Sequence, residues 1–452
     1  MMTTIDNHEA TPLLSASLST DIKPDNEFVS NDHVRQPKAQ NSWWATGIQC
    51  LNSMLGSGIL AFPYVLSEVG WAVFLLEVAF FAAVVFTSSA MLLEVGQRKG
   101  LLNFSAVTED VFGPEVATLL KFVIVVAYNG TLMSYLNVIG SLGYPVIVEW
   151  GYSGSILASY SGFMIFTAVL IAPMTLFRSY GELTPISLMS LALIVYLVFF
   201  VLGEGLWLNG GALYSAQAWP LSWIAPVQTL GTFAFAGSIQ TLIFEAYLST
   251  LDEDKPKFVS ASLTLAISCG FLLLVLMALF GYGAFGSECE NDIMSNFSSN
   301  YAFVQVAQLM TVFHIAFYIP NAFIIMRLYA FELMDCDPLA LEWPSFAALS
   351  LSLWAFPVFV MAWIPEEDCE GSFAYLVDLT GSVPFGFGAF TLPAALYFKV
   401  TSGLPIETDM ALYKHYASRA ILVLGVFLMI VCPITDTYLF IKACVTGACS
   451  SY

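Results

Sequence analysis

Residues 51–64 read Leu-Asn-Ser-Met-Leu-Gly-Ser-Gly-Ile-Leu-Ala-Phe-Pro-Tyr, and the fold is best inferred outward from them. They belong to an apolar segment, 42–66, that is long enough to cross a bilayer core of ~30 Å as a helix. A Gly-Ser-Gly triplet at 56–58 lies near its middle, and Pro63 follows shortly after. In hydrocarbon every backbone group needs a partner, so an interrupted helix is tolerated only where it lines protein or a cavity. The stretch therefore predicts a broken membrane helix.

The composition of the whole chain also indicates a membrane protein. Of 452 residues, 58% are hydrophobic and 11% are charged, and the mean hydropathy is +0.77. A soluble domain is about 25% charged, so this chain is too apolar to be an ordinary globular enzyme or a disordered protein. The net charge of −20 argues against nucleic acids and anionic lipids as partners. The composition instead implies that the protein is embedded in the lipid bilayer.

Eleven apolar segments are long enough to span a bilayer as helices. They lie at 42–66, 69–94, 117–141, 156–177, 183–202, 222–248, 258–283, 300–328, 344–364, 371–398 and 418–441. The pattern predicts an all-α polytopic membrane protein with an eleven-helix domain over 42–441. A polar tail, 1–41, precedes it and lacks the apolar run of a cleavable signal peptide. We expect that tail to be disordered and 442–452 to form a short tail after the last helix.

The distribution of basic residues predicts the orientation of the chain. With the N-terminus in the cytoplasm, thirteen of the 14 Lys and Arg residues fall on the cytoplasmic side, and only Lys442 falls on the other. Cytoplasmic loops of membrane proteins carry such an excess of bases. The N-terminus is therefore predicted to be cytoplasmic, and the C-terminus lumenal or extracellular.

A second interruption occurs in the sixth segment, where residues 231–240 read Gly-Thr-Phe-Ala-Phe-Ala-Gly-Ser-Ile-Gln. Segments 1 and 6 are each the first of five spans, about 42–202 and 222–398. Because each set has an odd number of spans, the second set enters the membrane from the opposite side, and any repeat is inverted. Paired interruptions in two inverted halves point to a secondary-transporter site at the midplane. The alternative is that both are small-residue packing faces. A third Gly-rich stretch, 381–388, could flex as a gate.

Residues 52–64, followed by Gly70-Trp71, resemble the first-helix motif of the amino acid/auxin permease family. That family includes sodium-coupled neutral amino acid transporters, vesicular inhibitory amino acid transporters and vacuolar amino acid transporters. Further matching stretches are 173–178, 233–235, 281–286 and Gly381-Ser382 with Pro393 and Tyr397. The resemblance covers about 42–441. It implies a LeuT-like fold, with a 5+5 inverted repeat plus one extra helix, and amino acid transport.

An amino acid substrate brings a carboxylate and an ammonium group. The second half of helix 1 offers free N–H groups and the positive end of a helix dipole, which suit the carboxylate. The residues predicted to supply these backbone contacts are Gly56, Ser57, Gly58 and Ile59. Carbonyls freed in helices 1 and 6 would take the ammonium, which makes Phe233, Ala234 and Phe235 candidates for the pocket. The alternative for the two Phe residues is that they face lipid.

The coupling ion is predicted to be H⁺ or Na⁺, with no other cofactor. In sodium-coupled members of the family an Asn at the position of Asn52 helps to hold the ion, and Thr311 is a candidate partner for a sodium site. Interhelical packing is the alternative for Asn52. Intramembrane acids are functional suspects, and Asp378 lies one turn before Gly381-Ser382. His314 is a second candidate proton carrier because histidine changes charge near neutral pH.

Several features of the tails and loops bear on the cellular location. Asn296-Phe297-Ser298 is a glycosylation sequon in a lumenal loop, and Cys289 and Cys369 lie in lumenal loops where a disulfide is permitted. Residues Glu9–Leu14 read Glu-Ala-Thr-Pro-Leu-Leu, an acidic dileucine pattern that a clathrin adaptor could read. We expect an endolysosomal or vacuolar membrane rather than the plasma membrane.

These observations support a secondary active transporter, a symporter that moves neutral amino acids by alternating access. The alternative is an amino acid sensor that signals through the tail 1–41. The sequence lacks the motifs of intramembrane proteases, metallohydrolases and phosphate-binding loops, so an enzyme is not expected.

Overall fold

The computed structural model describes residues 40–446 apart from 212, 216, 221, 339, 364–371, 406 and 407. Within that part of the chain the regular elements are helical, and extended pairing is limited to an isolated bridge between Asn41 and Thr250. The α-helices are α1 (Trp43–Met54), α2 (Phe62–Lys99), α3 (Phe104–Phe112), α4 (Pro114–Glu149), α5 (Tyr160–Ile171), α6 (Thr184–Leu208), α7 (Ala225–Gln228), α8 (Leu230–Ala236), α9 (Ile243–Ser249), α10 (Thr264–Phe285), α11 (Ala302–Leu333), α12 (Trp343–Trp363), α13 (Ser372–Thr380), α14 (Leu392–Thr401) and α15 (Asp409–Thr446).

Nine helical runs among the described residues are long and apolar enough to cross a membrane, which indicates an integral multi-pass membrane protein. The longest, Ser57–Lys99, is interrupted at Gly70, whose φ of 74° lies in the left-handed region that favours glycine. After this turn the Trp71 N–H donates to the Gln217 carbonyl at 2.8 Å. The run Tyr160–Leu176 is apolar but shorter. The total of eleven spans therefore stays a prediction.

The first helix breaks where the Gly-Ser-Gly triplet predicts. α1 ends at Met54, and neither Leu55 (φ −101°, ψ 44°) nor Gly56 (φ −73°, ψ −156°) is helical. A 3₁₀ turn over Ser57–Ala61 follows and continues into α2. The break is buried on all sides, so protein and not lipid surrounds its backbone groups.

The second predicted break is also present and has the same form. α8 ends at Ala236, Gly237 and Ser238 leave the helix, and a 3₁₀ turn over Ile239–Leu242 leads into α9. Each interruption is thus a short α-helix, two non-helical residues, a 3₁₀ turn and another α-helix. The prediction of paired interruptions is confirmed at both places.

The third Gly-rich stretch forms a wide π-helical segment, Gly381–Thr391, between α13 and α14. Helices approach each other very closely beside it. A Cβ added at Gly231 would overlap the backbone of Asp378, and one added at Gly381 would overlap the carbonyl of Gly231. Small residues allow α8 to lie directly against this segment, as they do at many membrane helix crossings. The contacts of Gly231 with Asp378 and Gly381 fix the position of α8 and, with it, the position of the break that follows α8.

Candidate functional site

Two cavities flank the breaks. The first, which we name the central cavity, is lined by residues at or just before the first break and, in the second broken helix, by Phe235 near the end of α8 and by residues after it. Its lining consists of Ser53, Met54, Gly56, Tyr128, Thr131, Tyr135, Phe235, Ser238, Leu242, Tyr318, Asn321, Ala322 and Phe385. The empty space between these residues, counted together with the space open at its mouth, is about 380 Å³. Among the residues that the structure describes, none with a charged side chain lines this cavity.

The second, which we name the acidic cavity, lies on the other side of the breaks. It is lined by residues that follow the first break and by residues that precede the second. Its lining consists of Ala61, Tyr64, Val65, Glu68, Ala225, Gln228, Thr229, Thr232, Asn291, Tyr375, Asp378 and Asp436. Three of these are carboxylic acids and none is Lys, Arg or His. The two cavities therefore lie at opposite ends of the same pair of broken helices.

An aromatic cluster fills the space on the acidic-cavity side of the breaks. Phe233 is fully buried and stacks on Phe81 with ring centroids 5.2 Å apart. It also meets the edge of Phe62 at 5.1 Å and Phe74 at 5.9 Å. Phe233 and its neighbour Ala234 thus lie within the protein core and outside the lining of the central cavity. Neither faces lipid.

Of the three residues predicted to line the pocket, Phe233, Ala234 and Phe235, Phe235 reaches the central cavity. A Cβ at Gly58 would lie 2.9 Å from its ring, and the centroid of the Phe385 ring lies 6.1 Å from that of Phe235. Gly58 therefore provides the space that Phe235 occupies. Phe235 and Phe385 together form an aromatic wall of the cavity.

Tyrosine hydroxyls surround the first break. A Cβ at Gly56 would overlap the Tyr135 hydroxyl and lie 3.1 Å from the ring of Tyr318. The Tyr318 hydroxyl donates to the Ser53 carbonyl, which lies just before the break. Ser57 forms a hydrogen bond with Ser134 at 3.2 Å. Of the four residues predicted to hold the carboxylate, Gly56 lines the central cavity, whereas Ser57, Gly58 and Ile59 are buried behind it.

His314 of α11 joins the break to α6. Its Nε2 lies 3.0 Å from the Leu55 carbonyl oxygen, and its Nδ1 lies 3.0 Å from both the hydroxyl and the carbonyl oxygen of Ser190. With Nε2 protonated, the ring donates to Leu55 and accepts from the Ser190 hydroxyl. A second proton on Nδ1 would instead donate to the Ser190 carbonyl. Either protonation state of the ring therefore keeps the hydrogen bond to Leu55.

Asn52 is fully buried one turn before the break, and neither its amide oxygen nor its nitrogen has a hydrogen-bond partner in the described part of the chain. Thr311 is equally buried, and its hydroxyl donates to the Ala307 carbonyl at 2.9 Å, which leaves its lone pairs available. Burying an unpaired amide costs about 1–3 kcal/mol. The Asn52 oxygen is consequently a group that would gain from a bound cation.

Asp378 lies in the acidic cavity and accepts a short hydrogen bond from the Thr232 hydroxyl. The cavity brings it together with Glu68 and with Asp436, which is buried on α15. His314 does not line this cavity. The two predicted proton carriers are therefore associated with different features, Asp378 with the acidic cavity and His314 with the break.

The connection between α10 and α11 carries the remaining predicted sites. Asn296 is half-buried; its amide donates to the Glu288 carbonyl at 2.8 Å and accepts from the Glu290 N–H at 2.8 Å. The Cys289 thiol is buried 3.6 Å from the Gly281 carbonyl, and burial raises its pKa to about 12. Its predicted disulfide partner Cys369 and the dileucine pattern Glu9–Leu14 lie outside the described residues.

Asp292 in the same connection was not singled out from the sequence. Burial raises the pKa of its carboxyl from 3.8 to about 7; the hydrogen bond from the Met294 N–H opposes this and the Glu290 carboxylate adds to it. The bond to Met294 is 2.9 Å and uses Oδ1, while Oδ2 is buried with no partner among the described residues. Asp292 therefore begins the 3₁₀ turn Ile293–Asn296 with a carboxyl that binds a proton more tightly than an ordinary aspartate.

Most polar groups of the central cavity were also missed. Tyr128, Thr131 and Tyr135 lie on one face of α4, and Tyr318 and Asn321 lie one turn apart on α11. A spacing of three, four or seven residues among polar side chains in an apolar helix is the signal that could have found them. It selects a face but does not say which cavity that face lines.

Comparisons with known proteins agree with this geometry. Residues 39–435 match the family model described as transmembrane amino acid transporter protein. "Vacuolar amino acid transporter 5" of Schizosaccharomyces pombe is 25% identical over 62% of this chain, and the match spans 66% of that protein, just under two thirds. "Putative sodium-coupled neutral amino acid transporter 11" of Danio rerio is 24% identical over 88% of this chain and 86% of its own length.

Two LeuT-fold structures are similar in fold. MhsT in complex with L-phenylalanine superposes with a TM-score of 0.55 at 14% identity, covering 90% of this chain and 100% of MhsT. A manganese transporter mutant of Eremococcus coleocola gives a TM-score of 0.51 at 12% identity, covering 90% and 98%. At these identities the likeness concerns fold alone. The family match, in contrast, extends over most of the sequence, and the chain belongs to the transmembrane amino acid transporter family, the amino acid/auxin permeases.

Proposed function

We propose that this protein is a secondary active transporter that moves neutral amino acids across a membrane by alternating access. Its eleven spans would form two inverted repeats, about 42–202 and 222–398, followed by one extra helix at 418–441. The N-terminus would be cytoplasmic. The observation that carries the proposal is the pair of buried helix breaks with a cavity on each side of them. Alternating access requires a site between two such broken helices that substrate reaches from one side at a time.

The lining of the central cavity supports a neutral substrate. It contains no charged side chain to balance a charged substrate side chain, and an unpaired charge in such a site is costly. The substrate carboxylate would lie at the N-terminal end of the Ser57–Ala61 turn, and the ammonium at the carbonyls exposed by the breaks. The zebrafish relative's name, which refers to neutral amino acids, agrees with this assignment.

Two sets of residues support coupling to a cation. A sodium ion would be held by the unpaired Asn52 amide, with Thr311 as a second oxygen ligand, and would neutralise the substrate carboxylate. Oxygen ligands of this kind suit a hard cation. A proton would instead be carried by Asp378 or by His314. The His314 ring has a hydrogen-bond acceptor within 3.0 Å of each nitrogen, so both nitrogens could carry a proton. The proposal is therefore symport with Na⁺ or H⁺.

We also propose a vacuolar or endolysosomal membrane as the location. The fission yeast relative is named as vacuolar, and the dileucine pattern of Glu9–Leu14 would serve as the sorting signal for a clathrin adaptor. Glycosylation of Asn296 would require its two hydrogen bonds to open, because both use the side-chain amide.

Uptake into proteoliposomes of the purified full-length protein tests the function. A panel of labelled amino acids is offered under a proton gradient and, separately, a sodium gradient. Gly58→Trp is the blocked control, because even a Cβ there lies 2.9 Å from Phe235. We expect uptake of neutral amino acids that follows one gradient and is absent in the control. If correctly folded protein moves no amino acid under either gradient, the transporter proposal is wrong and the sensor alternative takes its place.

A further inference from the structure

The polar groups of the central cavity are largely engaged with the protein itself. The Tyr128 hydroxyl pairs with Thr241 at 2.7 Å, and the Ser238 hydroxyl donates to the Phe235 carbonyl at 2.8 Å. The Thr131 hydroxyl likewise donates to the Ala127 carbonyl at 3.0 Å. A substrate that enters the cavity therefore finds few side-chain donors that are not already used.

Asn321 is the exception on α11. It lines the central cavity and is 3% exposed, and its Oδ1 accepts a hydrogen bond from the Ser187 hydroxyl at 3.2 Å. Its Nδ2 is buried without a hydrogen-bond partner in the described part of the chain. The bond from α6 holds one edge of the amide, so the nitrogen edge cannot turn away without breaking it. A buried N–H donor without an acceptor costs free energy that a suitable ligand would recover.

The position of Asn321 relates this donor to the substrate side chain. Tyr318 lies one turn earlier on the same helix and contacts Gly56, where the backbone is expected to bind the substrate. Three residues of α-helix rise about 4.5 Å. A side chain of several bonds that extends from an amino acid bound at the break would therefore reach the level of Asn321. A side chain as short as that of alanine would not.

We propose that Asn321 is a specificity-determining residue whose amide nitrogen donates a hydrogen bond to an acceptor oxygen in the substrate's side chain. The inference rests on the proposed amino acid transport and narrows its substrate class. The transporter favours neutral amino acids that carry a side-chain carbonyl or hydroxyl over apolar amino acids of the same length. An apolar side chain would leave Nδ2 buried and unpaired, and sites that must satisfy such a group discriminate strongly against it.

The test compares glutamine with methionine, which has a side chain of similar length and no strong acceptor. Initial uptake into proteoliposomes is measured for the wild type, Asn321→Leu and the control Gln308→Leu. Gln308 lies on the same helix and has an amide oxygen that is also buried and unpaired, but it does not line the cavity. We expect a preference for glutamine that falls about five- to tenfold in Asn321→Leu, as for loss of one buried hydrogen bond, and does not change in Gln308→Leu.

A second variant guards against a general folding defect. Asn321→Ser keeps a hydrogen-bond donor in a smaller side chain, so it should retain part of the glutamine preference that Asn321→Leu loses, while methionine uptake is retained. Equal loss of both substrates in both Asn321 variants, with protein that stays monodisperse, would overturn the inference. So would a wild type that transports both amino acids equally well. A wild type that transports no amino acid contradicts the proposed function itself.

Discussion

The Nε2 atom of His314 lies 3.0 Å from the carbonyl oxygen of Leu55, the first residue after α1. Leu55 has left the helix, so its carbonyl has no partner one turn further along the chain. The His314 imidazole of α11 takes the place of that partner, and its other nitrogen, Nδ1, forms a hydrogen bond with the Ser190 hydroxyl of α6. A single side chain thereby connects the break to two neighbouring helices.

Replacement of His314 should separate hydrogen bonding from proton carriage. His314→Gln retains an N–H donor that reaches about as far as Nε2, whereas His314→Leu leaves the buried Leu55 carbonyl without a partner at a cost of about 1–3 kcal/mol. We expect His314→Leu to unfold at lower temperature and to lose most uptake, and His314→Gln to keep the wild-type midpoint. Thermal unfolding and uptake of each variant are the measurements.

The result for His314→Gln also bears on the coupling ion. Uptake driven by a proton gradient that survives in this variant would assign the residue a positioning role, since an amide does not titrate. If uptake persists only as exchange and no longer follows the proton gradient, His314 is a proton carrier. Equal behaviour of the Gln and Leu variants would contradict the role of the Leu55 bond.

Gly58→Ala should impair transport, because the added Cβ lies 2.9 Å from the Phe235 ring. The Phe385 ring also packs against that ring, with centroids 6.1 Å apart, and restricts its movement. Overpacking of this kind costs about 1–3 kcal/mol. We expect a lower unfolding midpoint together with reduced uptake.

The matched control for Gly58→Ala is Gly388→Ala in the π-helical segment. There the nearest atom to the added Cβ is on Ile124 at 3.7 Å, an ordinary contact. Alanine is favoured over glycine within a helix by about 0.5–1 kcal/mol, so the midpoint should stay the same or rise slightly. A loss of stability at Gly388 equal to that at Gly58 would show that the close contact with Phe235 is not the cause.

Sodium should stabilise the wild-type protein through Asn52. A ligand at 100 times its Kd adds about 2.7 kcal/mol to the free energy of unfolding. We expect the unfolding midpoint to rise in sodium chloride relative to potassium chloride at equal ionic strength. The rise should disappear in Asn52→Leu and shrink in Thr311→Val. A wild type that does not distinguish the two salts would point to the proton as the coupling ion.

The connection between α10 and α11 should become less stable as pH rises, because of Asp292. The pKa of this carboxyl is raised in the folded protein from 3.8 to about 7, so the folded state binds the proton more tightly than the unfolded state. Its stabilising contribution is complete below pH ~3.8 and is lost as pH rises through about 7. We expect the unfolding midpoint of the wild type to fall between pH 5 and pH 8.

Asp292→Asn should flatten that pH dependence. The amide oxygen can still accept from the Met294 N–H, so the turn is retained, while no charge develops at high pH. Asp252→Asn, which changes an exposed aspartate in the connection between α9 and α10, is the control and should leave the slope as in the wild type. An unchanged slope in Asp292→Asn would show that another group causes the pH dependence.

Part of the fold was predictable because its signals are local. Apolar length predicts membrane helices, and glycine, serine and proline at mid-span predict the two breaks, since a helix interrupted in hydrocarbon needs other protein around it. The structure has both breaks, at Leu55-Gly56 and at Gly237-Ser238. The boundary predicted between the first two spans, at 67–68, lies two residues before the observed interruption at Gly70.

The environment of individual side chains was decided by the tertiary structure alone. In a soluble protein the apolar face of a helix indicates the core, but in a bilayer both the lipid-facing and the core-facing sides are apolar, so that signal is lost. For this reason the sequence predicts Phe233 in the substrate pocket, with a lipid-facing position as the alternative. In the structure Phe233 lies in neither place but in a buried aromatic cluster. Asn321 was overlooked although it lines the central cavity. The sequence by itself determined the class of protein, the family and the places where helices break; only helix packing decided which side chains meet at those breaks, because the rotation of each helix depends on contacts with segments far away in the chain.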